Sequence, residues 1–311
     1  MTDSNEQWRV QFDAEVTFAN GGGLQTQGFR LDVPGPDVDD GDLGELLVRH
    51  LGLLMVESVR IQGKQMVREP HKGSRGAAAS PRPTRRRAVE LSHVVRHGMV
   101  TLPGLPTPEI GEHLTRQASR EHYAPGTEFA IGNISMIANT GTYVDSPFHR
   151  FVDGPDLAAL PLSRLADLDG VVVRVLGGPE RAVDRAALLP YDVTGRAVLI
   201  HTGWDRHWGT ESYGTGHPFL TGDAAAWLVE QGPALVGIDS LNIDDSEDGT
   251  RPAHTALLGA GIPVVEHLTG LDQLPPYDFR FHAAPVAVEG MGTFPVRAYA
   301  LLDEYQAPRP T

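Results

Sequence analysis

The alternation of apolar and polar positions is sharpest near the start of the chain. Trp8, Val10, Phe12, Val16 and Phe18 interleave with Arg9, Gln11, Asp13, Glu15 and Thr17, the period of a half-buried strand. The NGGG at 20–23 predicts a turn, and the segment 24–33 a returning strand. After PGPDVDDGD the period changes. Leu43, Leu46, Leu47, Leu51 and Leu54 recur at helical spacing, with Asp42 as the expected N-cap. ESVRIQGKQMV, punctuated by Gly63, predicts a closing pair of short strands. Residues 1–69 thus read as a small α+β module of ββαβ type, with no chemistry of its own.

The pattern lapses over 70–87, where Gly, Ala, Ser and Pro accompany six basic residues and no acid. This predicts a solvated linker rather than a nucleic-acid site. Beyond it, short apolar runs recur at 88–92, 170–176, 196–203, 234–240, 262–268, 284–290 and 295–302. Few helical patterns intervene, chiefly at 221–232 and 253–261. Residues 88–305 therefore predict one strand-rich α/β domain, with functional residues at strand ends and on loops, followed by a tail at 306–311.

Composition narrows the chemistry. The 311 residues contain no Cys, so disulfides, thiolate ligands and a Cys nucleophile are excluded. Lys64 and Lys72 are the two lysines, which leaves the main domain without a Schiff-base or P-loop amine, and so without a PLP or nucleotide cofactor. A net charge of -14 argues against nucleic acid and anionic membranes as partners. No apolar run approaches the roughly 18 residues of a spanning helix, and the polar, acidic MTDSNEQWRVQFDAE lacks the features of a secretory signal. A cytoplasmic location is the expectation.

Several motifs fail. There is no G-x-S-x-G and no H-E-x-x-H. GAGIPV at 259–264 lacks the third Gly of a dinucleotide loop, and DDSEDG at 244–249 has Thr255 where a calcium loop needs Glu. What remains is a set of hard-metal ligands in three blocks: Asp145 and His149 in VDSPFH, His254 in RPAHTALL, and Glu266 in IPVVEHL. Asp145, His254 and Glu266 could form an open three-ligand site, with His149 free as acid/base. The plainer alternatives are that His254 caps a helix and Glu266 marks a strand's exit into solvent. HTGWDRHWG supplies His201, Trp204, His207 and Trp208 to line either a substrate pocket or a core.

From Val89 to about Asp303 the chain resembles the cyclase family of metal-dependent hydrolases, which includes kynurenine formamidases and isatin hydrolases. The resemblance rests on ELSH at 90–93, LPG at 102–104, NTGTYVDSPFH at 139–149, LVGIDS at 235–240, PAHTALLGAGIPVVEHL at 252–268 and GTFPVRAYA at 292–300. It implies a swivelling β/β/α fold, homodimers or higher homo-oligomers, and a small-molecule substrate. The family signature has the form H-x-G-T-H-x-D-x-P-x-H, and its first two histidines fall on Asn139 and Tyr143. Asp145 and His149 match its metal-bridging Asp and acid/base His, and His254 and Glu266 match its later ligands. The substrate-contacting aromatic falls on Leu102.

Two imidazoles of the family's first metal position are thus absent, whereas the second position is complete. The expectation is one divalent ion, Zn²⁺ or Mn²⁺, at Asp145, His254 and Glu266. His149 would be the catalytic acid/base, Asn139 and Tyr143 hydrogen-bond donors to a developing oxyanion, and Leu102, Trp204 and His207 the substrate contacts. The reaction expected is hydrolysis of an amide, cyclic amide or lactone. The alternatives are a metal-free acid/base cyclase, isomerase or dehydratase, and a non-catalytic binding scaffold.

Overall fold

The computed structural model describes residues 6–33, 35, 37–70, 85–177 and 180–304. Glu6–Phe18, Gly23–Val33 and Val56–Pro70 form a three-stranded antiparallel sheet with the first strand central, and the helix Asp40–Leu51 follows the second strand. Strand, strand, helix, strand is the order the periodicity predicts.

Two details differ. The N-cap is Asp39, whose carboxylate accepts from Asp42 N–H, so the helix begins earlier than its first leucine suggests. The expected pair of closing strands is one 15-residue strand. Gly63 does not end it. It sits at φ 61 where Gly63 and Lys64 face Phe12 alone, a bulge that a residue without a Cβ accommodates at no steric cost.

The main sheet has nine strands. In spatial order they are Thr293–Pro295, Tyr143–Asp145, Val264–Glu266, Leu235–Ile238, Ala197–His201, Leu168–Arg174, Phe279–His282, Tyr299–Glu304 and Arg85–Glu90. The four from Val264–Glu266 to Leu168–Arg174 run parallel, and antiparallel strands flank them on both sides. Being buried on both faces, the parallel strands read as continuous apolar runs such as VVV and AVLI.

Alternate residues of these strands enter two cores. Val171, Val173, Val198, Ile200, Val236 and Ile238 pack toward Gly222–Gln231 and Pro252–Gly259, while Val172, Leu199, Leu235 and Val265 pack toward Leu91, Phe281 and Ala300. The N-terminal unit joins the first core through Phe12 and Phe18 of its sheet and Leu43 and Leu47 of its helix, beside Leu188 and Tyr191. The α/β class is therefore borne out, with corrections. The apolar run at 284–290 forms no strand, and PVRAYALL is divided between Thr293–Pro295 and Tyr299–Glu304. Of the expected linker, Pro70 ends one strand, Arg85–Arg87 begin the next, and 71–84 lie outside the described residues, as does the tail.

Candidate metal and catalytic site

Sheet register assembles the site. Tyr143–Asp145 lies between Val264–Glu266 and Thr293–Pro295, pairing Tyr143 with Glu266 and Asp145 with Thr293. Because side chains alternate, Tyr143 and Asp145 share a face of the sheet. The chain then turns through Pro147–His149 and brings the His149 ring back over Asp145. Gly292 permits that approach, since a Cβ there would lie 2.4 Å from His149 N.

Asp145 is fully buried. Its Oδ1 accepts from Thr293 Oγ1–H, which leaves the threonine oxygen to accept from His149 Nδ1–H at 2.7 Å. An ionised carboxylate only accepts, so the proton order runs His149 to Thr293 to Asp145 and leaves His149 Nε2 with a free lone pair. Asp145 Oδ2 is buried without a hydrogen-bond partner and lies 3.5 Å from His254 Nε2.

His254 stands in the first turn of the helix Pro252–Gly259. The preceding Arg251 supplies no side-chain cap. Asp244, from the loop after Leu235–Ile238, replaces it by accepting from Ala253 N–H at 2.5 Å, His254 N–H at 3.0 Å and His254 Nδ1–H at 2.7 Å. This bond fixes the tautomer and leaves Nε2 facing Asp145 and, at 3.7 Å, Glu266 Oε1. Burial alone would lower the His254 pKa, but the neighbouring Asp145 carboxylate, the bond to Asp244 and the charge of Glu266 push it up to about 10. Burial raises Glu266, with His254 opposing.

Glu266 is held from both sides. Oε1 accepts from Ile243 N–H at 2.6 Å and Oε2 from Tyr143 Oη–H at 2.7 Å. The phenol oxygen accepts from His267 Nε2–H at 3.2 Å, and His267 Nδ1 accepts from Tyr213 Oη–H at 2.8 Å. Burial, the Glu266 and Asp145 charges and the bond to Glu266 raise the Tyr143 pKa well above its ordinary value, with a hydrogen bond from half-buried Asn139 opposing. Tyr143 is thus a neutral donor committed to Glu266. Burial pushes His267 down to about 3, so it too is neutral.

The ligand atoms of Asp145, His149 and His254 lie within 4.8 Å of one another. The acid/base expected of His149 thus stands at ligand distance as well. The aromatics divide differently from the expectation. Trp204 donates through Nε1 to Tyr213 O and packs on His207, and neither ring touches the cluster in the described contacts. Trp208 comes nearer, stacked 3.9 Å from His93 and edge-on to His267. Leu102 is half-buried in the loop before Leu105. Asp244, Thr293 and His267 were missed by the sequence reading. In the sequence Asp244 belongs to a failed calcium motif, and its one signal is the spacing of ten residues before His254.

The donor set fits a divalent cation. One carboxylate oxygen is buried and unbonded, an imidazole is pinned in the ligating tautomer, and a second carboxylate flanks it. Such a site on this mixed sheet suits metal-assisted hydrolysis. The chain matches the Cyclase family model over residues 89–245, just over half its length, and belongs to that family. Kynurenine formamidase of Bacillus cereus is 30% identical over 177 residues, spanning 54% of this chain and 78% of the relative. The Bacillus anthracis enzyme is 29% identical over 219 residues, spanning 68% and 95%. Isatin hydrolase A from Labrenzia aggregata, solved with benzyl benzoate, shares the fold at a TM-score of 0.61 and 23% identity, over 70% of this chain and 94% of that one.

Proposed function

We propose that this cyclase-family hydrolase cleaves a carbon–nitrogen or ester bond in a small molecule: a formamide, cyclic amide or lactone. The observation that carries this reading is Asp145 Oδ2, buried without a hydrogen-bond partner 3.5 Å from His254 Nε2, whose proton a cation would displace while Asp244 holds Nδ1–H. Asp145, His254 and Glu266 would hold one Zn²⁺ or Mn²⁺. When bound, the ion supplies carbonyl polarisation and a lowered pKa for water.

The chain's own residues do the rest. His149 takes a proton at Nε2 and returns it to the leaving nitrogen or oxygen, while Thr293 fixes its tautomer from the other side of the ring. Its side chain is 36% exposed, which opens it to substrate. Asn139 donates to the oxyanion that forms as the carbonyl becomes tetrahedral. Tyr143 orients Glu266 instead of touching substrate, because its one proton is already spent there.

Metal content of the purified chain, read beside turnover of N-formylkynurenine, isatin and a lactone panel, tests this. About one ion per chain, lost with activity in Asp145→Ala, supports it; full activity after exhaustive chelation overturns it in favour of metal-free acid/base chemistry. The close grouping of Asp145, His149 and His254 favours a second reading in which His149 is itself a ligand. His149→Ala separates the two, since an acid/base variant keeps its ion. Homo-oligomerisation belongs to the same proposal. It is supported by the hairpin Glu109–Leu114 and Ile131–Ser135, which leaves Ile110, Ile131 and Ile134 about half exposed. Light scattering checks it, and a monomer at micromolar concentration would refute it.

A further inference from the structure

A second cavity lies between the N-terminal sheet and the main sheet, lined by residues that the hydrolytic reading does not use. It encloses about 340 Å³, within the range of small-molecule sites. Gln25, Thr26, Gln27 and Phe29 of the strand Gly23–Val33 form one wall. Arg174, at the end of Leu168–Arg174, faces them across the cavity with Asp272 and the stretch Leu274–Asp278.

Two polar groups, one on each side of the cavity, are left for a ligand to pair with. Arg174 is half-buried, and Nη2 donates to Leu274 O at 2.5 Å, yet among the described residues it forms no ion pair. Burial lowers its pKa, opposed by the neighbouring Tyr191 phenol and, beyond ion-pair distance, by Asp272. A guanidinium taken out of water without a carboxylate is costly, and a ligand anion would compensate it. Thr26 is 8% exposed, and its Oγ1 is buried with no hydrogen-bond partner. Buried hydroxyls are rarely left so. Phe29, Tyr277, Pro275 and Pro276 supply flat apolar surface.

We propose that this cavity binds a small planar monocarboxylate, its carboxylate held by Arg174 and by the Thr26 hydroxyl and its body between the Phe29 and Tyr277 walls. A dianion such as phosphate is disfavoured, because one guanidinium shares the cavity with Asp272 and Asp278. The ligand bridges the N-terminal sheet to the segment that follows Val264–Glu266 in the chain. That gives the N-terminal unit half of a binding site.

Benzoate is the probe, titrated calorimetrically into the full chain, with benzamide as the neutral isostere. Because a cation site also attracts carboxylates, the titrations are repeated in Asp145→Asn. The expected result is one saturable benzoate per chain in both backgrounds, weakened about tenfold or more by Arg174→Met, as loss of a charged hydrogen bond requires. Thr26→Val, which replaces an unbonded hydroxyl with a methyl, folds normally and weakens benzoate severalfold, and benzamide binding is unchanged in Arg174→Met. If Arg174→Met fails to fold, Arg174→Lys removes the fork while keeping the charge, and it too weakens benzoate. No saturable binding overturns the proposal. So does binding that vanishes in Asp145→Asn, or binding indifferent to both Thr26→Val and the Arg174 variants.

Discussion

Replacing Asp244 by Asn tests the geometry of the site without touching a proposed ligand. Asp244 is fully buried, and its two oxygens accept three bonds, from Ala253 N–H, His254 N–H and His254 Nδ1–H. Asn offers one acceptor oxygen and an NH₂ that accepts nothing. If the oxygen stays on the imidazole, the amide nitrogen faces a backbone N–H and a helix-terminal donor is orphaned, at a cost of about 1–3 kcal/mol. If the amide turns the other way, it donates to Nδ1 and drives the proton to Nε2, removing the lone pair that faces Asp145 and Glu266.

Either arrangement weakens the cation. Loss of such a supporting bond typically costs about 10–100-fold in affinity, or roughly 1.4–2.8 kcal/mol. The assay is competitive titration of Zn²⁺ or Mn²⁺ against a chromophoric chelator, with thermal melts of the metal-free forms alongside. Asp244→Asn is expected to melt lower without metal, bind the ion at least about tenfold more weakly, and recover part of its activity in excess metal. Unchanged affinity would refute the argument that Asp244 sets the His254 tautomer. Unchanged metal-free stability would refute the three-bond count.

Other perturbations reach different parts of the site. His149→Ala should retain the ion and lose about 10²–10⁴ in kcat on whichever amide or lactone the wild type turns over; metal analysis showing the ion lost would make His149 a ligand. Tyr143→Phe, nearly isosteric, leaves buried Glu266 Oε2 without its donor and should lower stability by about 1.5–3 kcal/mol in urea melts; a neutral result would mean the phenol does not hold Glu266. The metal-free protein should lose stability as pH rises from about 7 to about 9. The folded His254 pKa is pushed up to about 10, so its imidazolium stabilises fully below about 6.5 and fades as pH climbs toward 10. Bound cation should flatten that slope and release a proton on uptake, and a metal-free melting point rising over this range would contradict the assignment. On the acid side, His93 is lowered to about 4 by burial and is bound to stay neutral, so stability should fall as pH drops from about 6.5 toward 4, measured by the same melts.

The chain's local patterns were enough for its elements. Period-two alternation over 8–18 located the first strand, helical leucine spacing located Asp40–Leu51, and apolar runs bounded by turn residues located the parallel strands. Where they misled, the cause was tertiary. The apolar 284–290 forms no strand with any of the described residues, and Gly63 bulges a strand rather than ending it, because pairing depends on a partner that local pattern does not contain. Among the site residues, Asp145, His149, His254 and Glu266 could be nominated from residue type and the order of their blocks. Their assembly could not. Antiparallel register sets Tyr143 on Glu266 and Asp145 on Thr293, and that placement converts a lost imidazole into a phenol donor. Asp244, Thr293 and His267 matter through bonds spanning 10, 144 and 124 residues. Side-chain chemistry is written one residue at a time, whereas a site is a set of distances, and only the folded sheet makes those distances short.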